Sequence, residues 1–232
     1  MPSLSQRYLA QCDLINRLQG EKRASRLAVN LLAVSKTRPA EEILALYRLG
    51  QRDFGENYLQ ETIQKQQQLA HFDINWHFIG PIQSNKTRDI ARYFSWVHSI
   101  DRLKIAQRLD QQRPSNLPPL NVCLQVNIDG EQSKSGFKLD ELGAAVEALK
   151  SSNNLRLRGL MAIPQAGKSV EQQRASFKKL TDAKNNLNRQ FKLNLDTLSM
   201  GMSDDLSSAI AEGATMVRIG AAIFGARMKN TV

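Results

Sequence analysis

Short runs rich in apolar and β-branched residues alternate along the chain with longer stretches whose apolar positions recur every three or four residues. A strand buried on both faces reads as a continuous apolar run, whereas a helix with one buried face carries the 3.6-residue period. On that basis strands are predicted at 30–35, 52–55, 75–80, 96–100, 120–128, 155–163, 196–200 and 215–220. A helix is predicted after each, at 40–49, 57–69, 85–93, 102–112, 139–151, 170–191, 204–211 and a terminal turn at 221–228, with an amphipathic helix over 4–18 ahead of the series. Repeated strand–helix units argue for a parallel sheet, and eight is the number that closes a (β/α)8 TIM barrel. An open doubly wound sheet is the alternative, but no glycine-rich dinucleotide turn follows the first run. PSNLPP at 114–119 reads as a loop and no low-complexity linker divides the chain, so residues 1–232 are expected to form a single domain.

A chain of 232 residues with 41% hydrophobic content can bury one large core. No apolar run approaches the ~20 residues of a membrane span. The start MPSLSQRYLAQ also lacks the charged and apolar blocks of a signal peptide. A cytoplasmic location without a membrane partner is the expectation. Cys12 and Cys123 are expected to be reduced and buried, and His71, His77 and His98 have no ligand partners at zinc spacing, so no metal is expected. The formal charge of +10 suits a phosphate-bearing partner. The cations are nevertheless spread from Arg7 to Lys229 without a block of like charge, and clusters such as Arg102, Lys104 and Arg108 fall on predicted helices without interleaved aromatics. Nucleic acid is therefore not an expected partner.

The run LLAVSKTRP carries four apolar residues straight into Lys36. Strands of such barrels present chemistry at their C-terminal ends, which puts Lys36 on the rim. A rim lysine either covers apolar surface with its stem or serves as an amine nucleophile. Beside Arg38 and partly desolvated, it would give up its ammonium form more readily and could form a Schiff base with an aldehyde. A phosphate on that aldehyde would need a grip, and two stretches offer one. SMGMSDD at 199–205 follows strand seven, where Gly201 allows close backbone approach and Ser203 can cap the next helix and donate its hydroxyl. RIGAA at 218–222 repeats the arrangement after strand eight with Gly220 and Ala221. Each alone is an ordinary cap or turn; their joint placement, read as opposite Lys36, is what suggests a site.

The ordered segments AVSKTRP, RDFGENYLQE, WHFIGPIQSNK, VHSIDR, VNIDGEQSKSGF, LRGLMAIP and LSMGMSDDLSSAIAEGATMVRIGAAIFGAR together resemble the pyridoxal 5′-phosphate homeostasis protein family, from about Leu31 to Arg227. The resemblance implies a fold-type III barrel similar to the cofactor domain of alanine racemase, with pyridoxal 5′-phosphate held as a Schiff base on Lys36. It assigns the phosphate to Ser199, Gly201, Met202, Ser203, Gly220 and Ala221, and sets Arg218 against the pyridine nitrogen. A guanidinium cannot accept a proton, so that nitrogen would stay unprotonated and the cofactor would be a poor electron sink. Asn57 is expected to hydrogen-bond the ring hydroxyl, to cap the following helix, or to do both. His77, alternating with Trp76 and Phe78, is expected to be a satisfied core histidine rather than a base. Met161 and Pro164 would floor the pocket or simply belong to the core. Ser84 in QSNK reads as an anion ligand or a helix cap, and Lys134 in SKSGF matches a second lysine of the family's loop. Arg38 stands where many relatives carry lysine.

Two functions follow. A racemase needs two acid–base groups on opposite faces of its substrate. Lys36 is one obvious base, Tyr58 is the only tyrosine near a strand end, and no room for a second, β-rich domain is expected before Val232. The favoured reading is a carrier, expected to be a monomer, that buffers pyridoxal phosphate and passes it to apo-enzymes; an amino-acid racemase is the alternative.

Overall fold

Eight parallel strands close into a barrel in the computed structural model, which describes residues 2–20 and 28–226. After α1 (Leu4–Gln19), the units run β1 (Asn30–Val34), α2 (Ala40–Arg48), β2 (Asp53–Glu56), α3 (Leu59–Gln68), β3 (Asn75–Phe78), α4 (Thr87–Tyr93), β4 (Trp96–Ile100) and α5 (Leu103–Gln112). They continue through β5 (Leu120–Val126), α6 (Leu142–Leu149), β6 (Leu155–Ala162), α7 (Val170–Phe191), β7 (Thr197–Ser199), α8 (Leu206–Ala211), β8 (Met216–Ile219) and α9 (Ala221–Phe224). Each strand pairs with the next, and β8 returns to β1 in the register Asn30↔Met216 to Ala33↔Ile219. The (β/α)8 barrel with its extra N-terminal helix is thus present, and the sheet is closed rather than open.

Local chemistry explains the element ends. Ser3 and Gln6 form a reciprocal cap at the start of α1, and Ser169 and Gln172 do the same for α7, each satisfying two otherwise orphaned amides. The strand interiors are almost wholly buried, as the continuous apolar runs require: Leu32, Val97, Val122, Leu124 and Val217 are fully enclosed. Differences from the sequence expectation lie at boundaries. The stretch predicted at 139–151 opens as a single 3-10 turn, Leu139–Glu141, before α6. The helix predicted from 204 begins at Leu206, and the part of the terminal turn beyond 226 lies outside the described residues. Among the described residues no helix is long and apolar enough to cross a membrane. Cys123 is buried and Cys12 half-buried, both as free thiols.

The helix α1 lies against α9, α8 and α2. Its Arg7 Nε donates to the Ile223 carbonyl at 2.7 Å, and its Tyr8 hydroxyl donates to Gln51 Oε1 at 3.2 Å, so the first helix fastens both the last one and the approach to β2.

One glycine sets how closely β6 and β7 can approach. A Cβ on Gly159 would lie 1.8 Å from the Thr197 carbonyl oxygen, a backbone atom that cannot swing aside. Gly159→Ala is therefore expected to destabilise the barrel by about 3 kcal/mol or more. In a chain of this size that corresponds to a fall of roughly 6–12 °C in the thermal midpoint. Calorimetry checks this; an unchanged midpoint would mean that the two strands can separate at no cost.

Candidate functional site

The strand β1 ends at Val34, and Ser35, Lys36 and Thr37 make the turn that follows. Thr37 has φ 63, in the left-handed region that a β-branched residue rarely occupies, so its conformation has to be imposed from outside. Glu61 imposes it by accepting the Thr37 N–H at 2.6 Å. Beneath the turn, Lys65 Nζ donates to the Ser35 carbonyl at 2.8 Å, to Glu56 Oε1 at 2.7 Å and to Glu61 Oε1 at 2.5 Å. Ser35 Oγ donates to the same Glu56 oxygen at 2.7 Å. Glu56 and Lys65 are both buried. Burial pushes the Glu56 carboxyl above its ordinary range, and Lys65 and Ser35 work against that rise. This buttress ties β1, β2 and α3 together under a half-buried Lys36. The sequence reading missed it, although Lys65 shares the buried face of α3 with Leu59 and Thr62, an odd place for a lysine.

Arg38, expected beside Lys36, reaches across to the end of α9. Its Nη2 donates to the Gly225 carbonyl and, at 3.0 Å, to that of Ala226, and the guanidinium lies 5.9 Å from the Phe224 ring centroid. Its task is to hold the end of α9.

Closure of the barrel sets the β8–α9 turn beside the Lys36 turn, not opposite it as the sequence reading had it. A Cβ on Gly220 would sit 3.4 Å from Val34 Cβ. Gly220 caps α9, its carbonyl accepting from Ile223 and Phe224 at 2.9 Å each, so the amides of Ala221 and Ala222 form the open first turn. On the neighbouring strand end Gly201 has φ 96, and a Cβ there would come within 2.5 Å of Ala209 Cβ; only glycine lets this turn fold down on α8. The cap position of α8 is Asp205, not Ser203. Asp205 Oδ1 accepts the Met202 N–H at 2.6 Å, while Ser203 stays exposed in the turn, its hydroxyl not needed for capping. Met202 is 39% exposed on the rim.

Arg218 is buried, with Nη1 donating to the Ser199 carbonyl at 2.6 Å and to Ser199 Oγ at 2.9 Å, and Nη2 donating to the Ala162 carbonyl at 3.0 Å. Three of its five N–H groups are thereby committed to the ends of β6 and β7. Burial pushes its pKa down to about 10, which still leaves a cation at neutral pH; Asp205 and Cys123 favour the charged form. Ser199 is fully buried, and its hydroxyl, with Arg218 and His98 as partners, is engaged in orienting the arginine.

At the mouth a cavity of about 290 Å³ is lined by Asn57, Ile79, Pro81, Asp101, Gln125 and Lys134, among others. Asn57 Oδ1 is buried there with no hydrogen-bond partner among the described residues. The cap position of α3 is Tyr58, and no side chain caps it, which removes the capping role and leaves Asn57 with an acceptor to offer. Lys134 Nζ donates to the Ile163 and Pro164 carbonyls at 3.3 and 3.1 Å and pairs with Glu131 at 2.6 Å, so it is anchored at the cavity wall. Met161 is core, 1% exposed. Tyr58 is 49% exposed. His77 is a core histidine with both ring nitrogens occupied. Among the described residues no group of three potential ligands could hold a metal ion. The C-terminal rim thus carries an amine on a fixed turn, two glycine-built turns and a cation buried against the ends of β6 and β7, while the unsatisfied Asn57 acceptor lines a cavity whose lining does not include Lys36, Arg218 or either glycine turn.

Residues 14–228 match the family described as alanine racemase, N-terminal domain. The pyridoxal phosphate homeostasis protein of Pseudomonas aeruginosa is 63% identical over 199 residues, spanning 86% of this chain and 85% of that protein. This chain belongs to the pyridoxal phosphate homeostasis protein family. Another member, from Escherichia coli, is 52% identical over 202 residues, 86% of each chain. The structure of PipY from Synechococcus elongatus, solved with pyridoxal phosphate bound, superposes with a TM-score of 0.84 at 34% identity, covering 96% of this chain and all of that one. Alanine racemase from Corynebacterium glutamicum shares the fold, with a TM-score of 0.67 at 16% identity over 94% of this chain and 60% of the racemase.

Replacing Lys65 with methionine strands Glu56 as a buried charge, which is expected to cost about 3–5 kcal/mol at pH 8. A carboxyl whose folded-state pKa is raised takes up its proton on folding, so the deficit should shrink as the pH falls from 8 towards 5. Urea unfolding at the two pH values reads it; a deficit independent of pH would show that Glu56 is not the group left uncompensated.

Proposed function

We propose that this protein binds pyridoxal 5′-phosphate at the C-terminal mouth of the barrel, holds it through a Schiff base on Lys36, and releases it to apo-enzymes that depend on the cofactor. The observation that carries the reading is the adjacency of β1 and β8, which sets the buttressed Lys36 turn next to the Gly220 turn, with the Arg218 cation buried behind them. A relative of 34% identity solved with the cofactor bound supports it.

The roles follow from the chemistry of each group. The Lys36 amine would hold the aldehyde through a Schiff base, formed with loss of water and reversed by water, which is the exchangeable bond a carrier needs. Backbone amides of the turns at Gly201, Gly220 and Ala221, with the Ser203 hydroxyl, would face the phosphate, whereas the Met202 N–H is taken by Asp205. Asn57 Oδ1 would accept from the ring hydroxyl. Arg218, unable to take up a proton, would keep the pyridine nitrogen neutral, so that the bound cofactor withdraws electrons weakly from anything attached to it. That property favours storage over removal of an α-proton. Racemisation would further require a second acid–base group held on the far face of the substrate. Tyr58, solvent-exposed beyond the mouth, has no partner that would hold it there among the described residues.

Lys36→Ala is expected to abolish the borohydride-trapped adduct and the yellow colour of the purified protein while leaving its thermal midpoint nearly unchanged. Asn57→Ala should weaken cofactor binding roughly 5–10-fold, the loss of one buried hydrogen bond. Mixing the loaded protein with a pyridoxal-phosphate-dependent apo-enzyme should restore that enzyme's activity. Mapping of the reduced adduct mainly to Lys134 would overturn the assignment of Lys36. Rapid alanine racemisation abolished by Lys36→Ala or Tyr58→Phe would replace the carrier with an enzyme.

A further inference from the structure

A line of polar contacts runs from Arg218 away from the mouth, through the inside of the barrel. Ser199 Oγ lies 2.7 Å from His98 Nδ1, His98 Nε2 lies 2.9 Å from His77 Nδ1, and His77 Nε2 lies 3.0 Å from Asp53 Oδ1. Ser199 is on β7 and His98 on β4, strands that are not neighbours, so their contact has to cross the barrel interior. Both imidazoles and Ser199 are fully buried. His77 is held flat against Trp96, with ring centroids 5.3 Å apart and planes within 9°. Asp53, the first residue of β2, stands at the opposite end of the strands with its side chain 26% exposed, and Asn75 Nδ2 donates to it at 3.0 Å.

Each link in this line has one proton and one direction. Burial works against the Asp53 carboxylate, but His77 and Asn75 hold it below its ordinary range, so it is ionised and can only accept. His77 must then carry its hydrogen on Nε2. Burial keeps both rings neutral, and for His98 the neighbouring His77 and Arg218 add to the effect. His77 Nδ1 is therefore bare and accepts from His98 Nε2–H; His98 Nδ1 is bare in turn and accepts the Ser199 hydroxyl hydrogen. The Ser199 oxygen accepts from Arg218 Nη1. Every hydrogen points from the arginine towards the aspartate, an arrangement in which successive bonds polarise one another.

We propose that Asp53, His77, His98 and Ser199 form a one-way hydrogen-bond relay that aims Arg218 and anchors its charge, which makes them positioning residues for the cofactor ring. The inference deepens the reading of the site and rests on Arg218 facing that ring. Its distinctive consequence is reversal. The amide of Asp53→Asn can donate to His77 Nε2, which would move the hydrogen of each histidine to Nδ1 and turn His98 into a donor at Ser199, in competition with Arg218.

Nitrogen-15 spectra of histidine-labelled protein without cofactor test the relay itself, with exposed His71 as internal reference. Wild type should show His77 and His98 as neutral Nε2–H tautomers, and Asp53→Asn should show both as Nδ1–H. In the second arm, Asp53→Asn should weaken pyridoxal phosphate binding at least about 5-fold and shift the ring nitrogen resonance of labelled cofactor, while Asp53→Glu, which keeps the carboxylate, restores both. His98→Asn is the companion variant: its amide oxygen can still accept from Ser199 but cannot reach His77, and it should show the same loss on cofactor. A protonated or Nδ1–H ring in the wild type would overturn the relay. So would wild-type affinity and an unshifted ring nitrogen in both Asp53→Asn and His98→Asn. A wild type that binds no pyridoxal phosphate would instead overturn the cofactor reading, with the tautomers still deciding the relay.

Discussion

The hydrogen bonding of β8 to β1 is the constraint on which everything else depends. The turn after β1 carries the lysine and β8 carries the arginine, and nothing local in either segment says that they meet. Once the sheet closes in the register Asn30↔Met216 to Ala33↔Ile219, the turn after β1 and the turn after β8 are neighbours, and the Gly220 backbone can pack against Val34. An open sheet would leave the same motifs on opposite edges. Closure thus turns two weak sequence signals into one site.

Closure also creates an interior into which charge can be built, and this protein builds in a good deal of it. Glu56 with Lys65 lies outside the strands, between sheet and α3; Arg218 with its serine and histidines lies inside. Buried ions cost several kcal/mol each unless well paired, and an apolar replacement is often as stable. Their retention here is therefore poor evidence of a need for stability. What both networks fix is direction: one holds the strained Thr37 turn under Lys36, the other holds the plane and charge of Arg218. The backbone of the Lys36 turn and the guanidinium of Arg218 are thus each located to within a hydrogen bond.

Much of this was legible in the sequence. The alternation of apolar runs and helical periods located all eight units, because a parallel barrel buries its strands on both faces and its helices on one. Lys36 stood out as a lysine at the end of an apolar run, Gly201 and Gly220 through their joint placement after strands seven and eight, and Arg218 through the family resemblance. The errors came from contacts that cross sequence. Ser199 reads as one of several small polar residues in SMGMSDD, and only the barrel interior brings His98 to it. Arg38 is read beside Lys36 by adjacency, and the carbonyls at the end of α9 that it grips come to it only with the closed barrel. Ser203 looked like a cap until the turn at Gly201 proved long enough to place Asp205 at the helix start. The relay's histidines, 21 residues apart on adjacent strands, carry no motif that a linear reading could join.

The last helix carries one more consequence. A four-residue helix is far too short to hold its own shape in water, so α9 keeps its form only through what grips it. Arg7 grips it from the first helix of the chain and Arg38 from the turn after β1, both at carbonyls near its C-terminal end. Docking of α1 and ordering of the Gly220 turn are in this way a single coupled equilibrium, and such coupling is reciprocal. An anion that tightens the start of α9 must tighten the seat of α1 by the same free energy, so the beginning of the polypeptide reports on the occupancy of a pocket that it never touches.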